Sequence, residues 1–197
     1  MNTTKINLLT KRALKGDIKA LKEVFTFLEK YNLPLTKYTM YSLLYQFVMN
    51  NLLELGKYCE ECGGKCCKIG DPIPVYDFDY KVLKARLSKT SLTHLKRDND
   101  IYFLPRPCPF QEGWACKIHE FKPYACLSYP FAIEDELNIV MQNYKDGVPD
   151  FVIPDFCLAG RKTKEFMDNI ADNLRKKLGR DPTPRELLEE IIKENKS

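Results

Sequence analysis

The residues most able to do chemistry in this 197-residue chain are its eight cysteines, which fall into two groups of four. The first group is compact and lies in the segment Cys59-Glu60-Glu61-Cys62-Gly63-Gly64-Lys65-Cys66-Cys67. The second group is dispersed and consists of Cys108, Cys116, Cys126 and Cys157. Thiolates are the ligands that zinc and iron–sulfur clusters prefer in proteins. Four and four therefore predict two tetrathiolate sites or one larger centre, with all eight cysteines as metal ligands.

The spacing of the cysteines helps to choose between metals. Cys59 and Cys62 have the two-residue gap of a zinc knuckle, but no second knuckle follows, because the later cysteines are 8, 10 and 31 positions apart. This irregular spacing favours iron–sulfur ligation, in one or two clusters of the [4Fe-4S] type, over the alternative of structural zinc. Disulfide pairing and unligated core cysteines are further alternatives, although disulfides are rare in cytosols outside hyperthermophiles.

Two local features bear on how the ligands are arranged. Successive side chains of an extended segment point to opposite faces, so Cys66 and Cys67 are predicted to serve different sites or distinct irons of one cluster. The preceding Gly63-Gly64 allows the backbone to fold back, so that thiolates can converge.

His119 lies three residues after Cys116 and is either a further ligand or a surface histidine.

The middle of the chain, residues 58–160, carries a series of motifs with characteristic spacings. The first cysteine group is followed by Pro107-Cys108-Pro109-Phe110, by the segment Cys116–Pro123 ahead of Cys126, and by Tyr129-Pro130. This pattern resembles the YkgJ-type cysteine-cluster proteins, a family described as zinc- or iron-chelating. Where that family usually has two arginines, this chain has Lys122 and Leu127. The cluster is also similar to that of flagellin lysine methylases, which implies a protein methylation system as another possible setting.

Composition and charge exclude several other classes of protein. Hydrophobic residues make up 44% and charged residues 29% of the chain, as in ordinary globular proteins. The net charge of +4 is too mild to indicate nucleic acid binding. We expect a cytoplasmic protein, because there is no signal-peptide pattern and no run of roughly 20 apolar residues. Phosphate-binding, Ser-His-Asp and dinucleotide motifs are absent from the sequence, so no catalytic residue is predicted and enzymatic activity stays open.

The N-terminal part, residues 1–57, is predicted to form a helical hairpin. Apolar residues recur at spacings of four and three from Leu14 to Leu28, either in one helix or in a helix that begins after an Asp17 cap. A second helix is predicted from a Thr36 cap to about Leu55, with Gly56 as its C-terminal cap. The hairpin has no cysteine or histidine and a net charge of +5, against −3 for residues 58–160. We therefore expect it to bind a protein partner, while its tyrosines 38, 41 and 45 pack in the core or line a groove for that partner.

Further patterns predict the remaining helices and strands of the chain. A helix is predicted over Asp77–Leu87, with Asp77 as its cap or, with Asp79, as an acid–base residue. Strands are predicted over residues 101–104 and 137–141. A helix over Arg161–Leu178 precedes a last helix, whose start is marked by a capping box in Thr183-Pro184-Arg185-Glu186.

These patterns combine into one expectation about architecture and function. The fold is mainly α, with a small, irregular, loop-rich α+β centre that is organised by metal. Its parts are the helical hairpin of residues 1–57, the cysteine core of residues 58–160, and the C-terminal helices of residues 161–197 that pack on the core. The expected function is that of a redox, assembly or maturation accessory factor, and the alternative is a zinc-binding interaction module.

Overall fold

The computed structural model describes residues 3–132 and 143–194. In this part of the chain helices dominate, and the strands form antiparallel sheets of only two and three strands, so the predicted fold class is confirmed. The helices are α1 (Thr3–Ala13), α2 (Ile18–Leu28), α3 (Pro34–Asn51), α4 (Leu55–Glu61), α5 (Asp77–Arg86), α6 (Lys89–Leu92), α7 (Tyr124–Ser128), α8 (Leu158–Leu178) and α9 (Pro184–Glu194). Short 3-10 helices span Glu29–Tyr31, Lys65–Cys67 and His119–Phe121. The strands are β1 (Ile73–Val75), β2 (Lys96–Asp98), β3 (Ile101–Leu104), β4 (Gln111–Glu112) and β5 (Ala115–Cys116).

The N-terminal part contains an additional helix that the sequence patterns did not predict. Helix α1 precedes the periodic stretch, and the chain then turns at Gly16, which has a φ of 96°. Asp17 caps α2 by accepting a hydrogen bond from the Ala20 N–H at 2.9 Å. The stretch from Leu14 to Leu28 is therefore divided at Gly16-Asp17, the second of the two predicted arrangements.

Helix α3 begins and ends earlier than predicted. It starts at Pro34, whose fixed φ suits the first helical position, and Leu33 occupies the N-cap. Thr36 is therefore inside the first turn, where its hydroxyl accepts a hydrogen bond from the Leu33 N–H at 3.1 Å. The helix ends at Asn51, and Gly56 lies within α4 instead of capping α3.

Helix α3 is the centre of the main hydrophobic core. Every residue from Met40 to Met49 is buried, as expected for a helix that packs on all sides. It packs against α2, α7, α8 and α9. The Tyr45 ring centroid lies 4.6 Å from that of Phe151 and 5.3 Å from that of Phe131. The three tyrosines of this helix are thus core residues, the first of the two predicted roles.

A second, smaller core underlies the three-stranded sheet, whose strand order is β1-β3-β2. Strand β3 has the predicted bounds and pairs with β2 in a hairpin. The buried residues of this core come from the sheet, from α5 and from the loops around the cysteines: Val75, Leu83, Leu95, Leu104, Phe110 and Ile118. The strand predicted over residues 137–141 lies outside the described residues.

The helices predicted over Asp77–Leu87, over Arg161–Leu178 and after Thr183 are all present, whereas α4, α6 and α7 were not predicted. Helix α8 starts at Leu158, three residues before the predicted position, and ends at Leu178, followed by Gly179 as its C-cap with a φ of 70°. In front of α9, the Thr183 N–H donates to Glu186 Oε2 at 2.8 Å and the Glu186 N–H donates to Thr183 Oγ1 at 3.3 Å, which is the predicted capping box. The N-cap of α5 is Tyr76, and Asp77 lies in the first turn instead.

A buried ion pair connects α1 to the cysteine-bearing part of the chain. Lys11 on α1 donates to the carboxylate of Asp79 on α5, and the same carboxylate accepts a hydrogen bond from the Tyr124 N–H at 2.9 Å. Lys15 donates to the Glu120 carbonyl. Asp79 is fully buried, so it holds elements together and is not an exposed acid–base residue. None of the helices in the described ranges has the length and apolar character needed to cross a bilayer.

Candidate metal centre

All eight cysteines line one cavity of about 410 Å³, and all are free thiols. In the first group, Cys59 lies on α4, Cys62 follows its last turn, and Cys66 and Cys67 lie in the second 3-10 helix. The second group comes from four separate places: Cys108 after β3, Cys116 at the end of β5, Cys126 on α7 and Cys157 just before α8. The fold thus brings together side chains that are almost a hundred positions apart in the sequence, and it pairs none of them in a disulfide.

A tight double-glycine turn positions the first group. Gly63 and Gly64 have φ angles of 64° and 62°, in the left-handed region that favours glycine. A Cβ atom on Gly64 would lie 3.1 Å from the Trp114 carbonyl oxygen and closer still to the side-chain amide nitrogen of Gln111. The same Gln111 amide donates to the Gly64 carbonyl at 3.1 Å. The absence of a side chain at Gly64 therefore lets the first cysteine group pack directly on the β4–β5 hairpin.

The two groups of cysteines are joined by the backbone as well as by the shared cavity. The Cys108 N–H donates to the Cys67 carbonyl at 2.8 Å. Because this bond links the last residue of the compact group to the first residue of the dispersed one, it fixes the two groups relative to each other.

The backbone at the adjacent pair Cys66 and Cys67 differs from the extended conformation that the prediction assumed. The two residues lie in a 3-10 helix and not in an extended segment, so the alternation of side chains that was used to separate them does not apply. Their sulfur atoms are hydrogen-bonded to each other, which raises the pKa of Cys66 and lowers that of Cys67 to about 6. Arg106 also hydrogen-bonds to Cys67 and supports its thiolate. Both thiols face the same cavity.

Five of the other thiols favour their protonated form when no metal is bound. Burial raises the pKa of Cys59 to about 11 and that of Cys126 to about 12, although the ammonium of Lys122 opposes part of both rises. Burial also raises the pKa of Cys108, Cys116 and Cys157. Since metals bind thiolates, loading this cavity must displace protons.

Two cationic side chains, Arg106 and Lys122, and the imidazole of His119 share the cavity wall with the thiols. Burial lowers the pKa of His119, which favours the neutral imidazole that can bind metal. Sequence reasoning did not single out Arg106 or Lys122 as site residues. Lys122 had a signal that could have found it, because a cation stands at the position where the related family usually has arginine.

The rest of the wall is mainly apolar, with Met49, Leu55, Leu104, Ile118 and Phe156 among its residues. Trp114 lies near Gly56 at the rim and is 39% exposed. An apolar wall keeps the effective dielectric constant low, so charges within the cavity act strongly on one another.

The donor set fits a thiolate-bound metal by its chemistry, because eight thiols line the cavity and no described lining residue is Asp or Glu. As the side chains are placed, no three His, Cys, Asp or Glu residues in the described ranges form a group that could hold a metal ion. The thiols surround a space and do not close on a single point within it.

Comparison with known proteins gives a family match for the central part of the chain. No curated protein and no solved structure is similar enough to the chain to be matched. Between Cys62 and Cys66 the chain has three residues, whereas the name of the matched family, CxxCxxCC, indicates two residues at this position. Residues 58–146 match the model of this CxxCxxCC family, described as a "Putative zinc- or iron-chelating domain", which confirms the resemblance to metal-chelating cysteine-cluster proteins.

Proposed function

We propose that the eight cysteines hold an iron–sulfur centre, of one or two [4Fe-4S] clusters, and that the protein is a redox, assembly or maturation accessory factor in the cytoplasm. The observation that carries the proposal is the position of all eight thiols around one cavity of about 410 Å³. Thiolates that surround a space suit a multinuclear group, whereas a zinc ion needs four ligands at about 2.3 Å from one point.

The surroundings of the thiols support the same proposal. A metal centre bound by many thiolates is anionic, and Arg106 and Lys122 bring positive charge to a cavity wall where none of the described residues carries a carboxylate. The apolar residues of the wall would limit access of water. A bound iron–sulfur cluster would supply one-electron chemistry, which the protein's own side chains cannot provide.

A zinc-binding interaction module is the second candidate, because Cys59 and Cys62 have knuckle spacing and the matched family model covers both metals. In either case we propose that a protein partner binds the N-terminal helices. Its contact surface must lie on the outer side, where Leu8, Tyr31 and Leu33 are about half exposed, since α3 is buried.

Metal analysis of protein purified without oxygen tests the proposed centre. After expression with ample iron, we expect iron and acid-labile sulfide in similar amounts, together with the visible absorption of an iron–sulfur cluster. A colourless protein with stoichiometric zinc and no sulfide would overturn the iron–sulfur proposal and favour the interaction module.

A further inference from the structure

Lys122 is a buried cation without a partner in the described part of the protein. Only three charged side chains are buried there: Lys11, Asp79 and Lys122. Lys11 and Asp79 form an ion pair, which leaves Lys122, at 9% exposure, as the buried charge that pairs with no described side chain. The side chain is largely removed from bulk solvent and lines the cavity without a counter-charge among the described side chains, so an anion held in that cavity would compensate its charge.

The protein around Lys122 adds positive charge instead of neutralising it. Burial lowers the pKa of Lys15 nearby, and the positive charges of Lys11, Arg86 and Lys122 lower it further. The buried carboxylate of Asp79 is already occupied by Lys11 and by the Tyr124 N–H. Among the residues that the structure describes, no Asp or Glu lines the cavity that Lys122 faces.

Lys122 does, however, lie close to the thiols. It lines the same cavity as all eight of them, and its charge acts on Cys59, Cys67 and Cys126, which come from three different segments. An ammonium in this position would interact with the negative charge of the centre as a whole and would not need to ligate metal.

We infer that Lys122 is the charge-compensating residue of the metal–thiolate centre, which it stabilises through its buried positive charge. The inference rests on the part of the proposed function that places metal-bound thiolates in the cavity, but it holds for iron–sulfur and for zinc alike.

Removing this charge should weaken the centre without removing a ligand. Outer-shell partners of metal ligands typically contribute about 10- to 100-fold in metal affinity, so Lys122→Met should release metal to a competing chelator at a correspondingly lower chelator concentration. If the centre is an iron–sulfur cluster, its reduction potential should become more negative, because an added electron loses a nearby positive charge.

The test compares three variants of the full-length, metal-loaded protein, prepared without oxygen. Lys122→Met removes the charge, Lys122→Arg keeps it, and Lys117→Met is the matched control. Lys117 is also next to a cysteine, but its ammonium is exposed and pairs with Glu112 at 3.3 Å. We expect the loss of metal affinity and the shift in potential in Lys122→Met only. If Lys122→Met fails to load metal, loading of Lys122→Arg supports the inference, since the charge is then the feature that matters.

Two results would overturn the inference: a Lys122→Met protein that holds metal as tightly as the Lys117→Met control, or a Lys122→Arg protein that loses as much metal as Lys122→Met. Metal and sulfide analysis of the wild-type protein separates this outcome from the proposed function. A zinc protein that needs Lys122 keeps the inference and overturns the iron–sulfur proposal. An iron–sulfur protein whose metal affinity is unchanged by Lys122→Met keeps the iron–sulfur proposal and overturns the inference.

Discussion

At the scale of single residues, the cysteine cavity depends on a glycine as much as on its thiols. Gly64 adopts a left-handed conformation and lies against the backbone of Trp114. A side chain at this position would therefore cause both backbone strain and a steric clash. Its neighbour Gly63 has nearly the same φ but has only the flexible end of Lys68, at 3.8 Å, near the position of a Cβ atom. Substitutions at the two glycines therefore distinguish the effect of backbone strain, which both positions share, from the effect of a close backbone contact, which only Gly64 makes.

We predict that Gly64→Ala lowers the metal content markedly, whereas Gly63→Ala retains it. Both variants bear the left-handed backbone penalty of roughly 1–2 kcal/mol, but only Gly64→Ala also forces the first cysteine group away from the β4–β5 hairpin. Metal-to-protein ratio and thermal unfolding of the two variants measure the difference. Equal metal content in the two proteins would show that the contact with Trp114 does not position the ligands.

The thiol pKa values predict how metal binding depends on pH. Burial raises the pKa of most of the thiols, including Cys59 to about 11 and Cys126 to about 12, so protons compete with metal for these sulfurs. Metal affinity should therefore rise as the pH is raised from 6 to 9, with protons released on binding. A competition titration with a chelator of known pH dependence measures this, and an affinity that stays constant over this range would contradict thiolate ligation.

At the scale of elements, helix α1 is attached to the cysteine-bearing segments by charge. Burial raises the pKa of Asp79, and its two partners, Lys11 and the Tyr124 N–H, counteract that effect. Tyr124 begins α7, the helix that carries Cys126. Asp79 thus connects α1, α5 and the element that holds one of the candidate ligands.

We predict that Asp79→Ala destabilises the protein by about 3–5 kcal/mol, because it leaves the Lys11 ammonium buried and unpaired. The matched control is Asp146→Ala, which breaks an exposed pair with Lys37 at 3.1 Å and should cost about 0–1 kcal/mol. Denaturant unfolding monitored by circular dichroism measures both. Similar small losses in the two variants would mean that the Lys11–Asp79 pair does not connect the elements as described.

Local sequence signals predicted the elements that depend on local contacts. The Thr183–Glu186 capping box and the bounds of β3 follow from a few neighbouring residues, and both were predictable. Helix α1 has few leucines and depends on packing against α2 and on Lys11 and Lys15, which reach distant partners. No local pattern encodes such contacts.

The candidate site was likewise predictable only in part from the sequence. Residue type alone identified the eight cysteines, and the structure places all of them around one cavity. The positions of Arg106 and Lys122 beside the thiols depend on how separate loops pack. No sequence pattern pointed to Arg106, and the one signal for Lys122 was a cation where the resembled family usually has arginine. The extended backbone assumed at Cys66 and Cys67 is a 3-10 helix, so that premise was wrong, while their assignment to different sites or distinct irons stays a prediction.

At the scale of the whole molecule, two cores of unequal size surround the cavity. The larger one is built from α1–α3, α8 and α9 together with residues from the intervening segments, whereas the smaller one contains six buried residues. Helix α3 is the middle of the larger core, so residues 1–56 cannot be deleted without removing much of the protein's hydrophobic interior. A partner surface on these helices is therefore better tested by exposed substitutions, such as Leu33→Ser, than by truncation.

We predict that metal removal loosens the centre but leaves the larger core folded. Structural metal can supply about 10–16 kcal/mol in small thiolate sites, and the cysteine segments have few other contacts of comparable strength. Hydrogen exchange should accelerate in α4, in residues 62–67 and in residues 105–126, while α3 and α8 stay protected. Equal protection of the centre with and without metal would show that it folds independently of the ligand.

The central claim is that thiolates from this one cavity hold a metal cluster, and X-ray absorption at the metal edge tests it most directly. For protein purified without oxygen, the account predicts an iron edge, a nearest shell of sulfur and a second shell from neighbouring iron atoms. A nearest shell of nitrogen and oxygen would contradict ligation by the cysteines. Sulfur at about 2.3 Å around an isolated zinc ion would contradict the cluster.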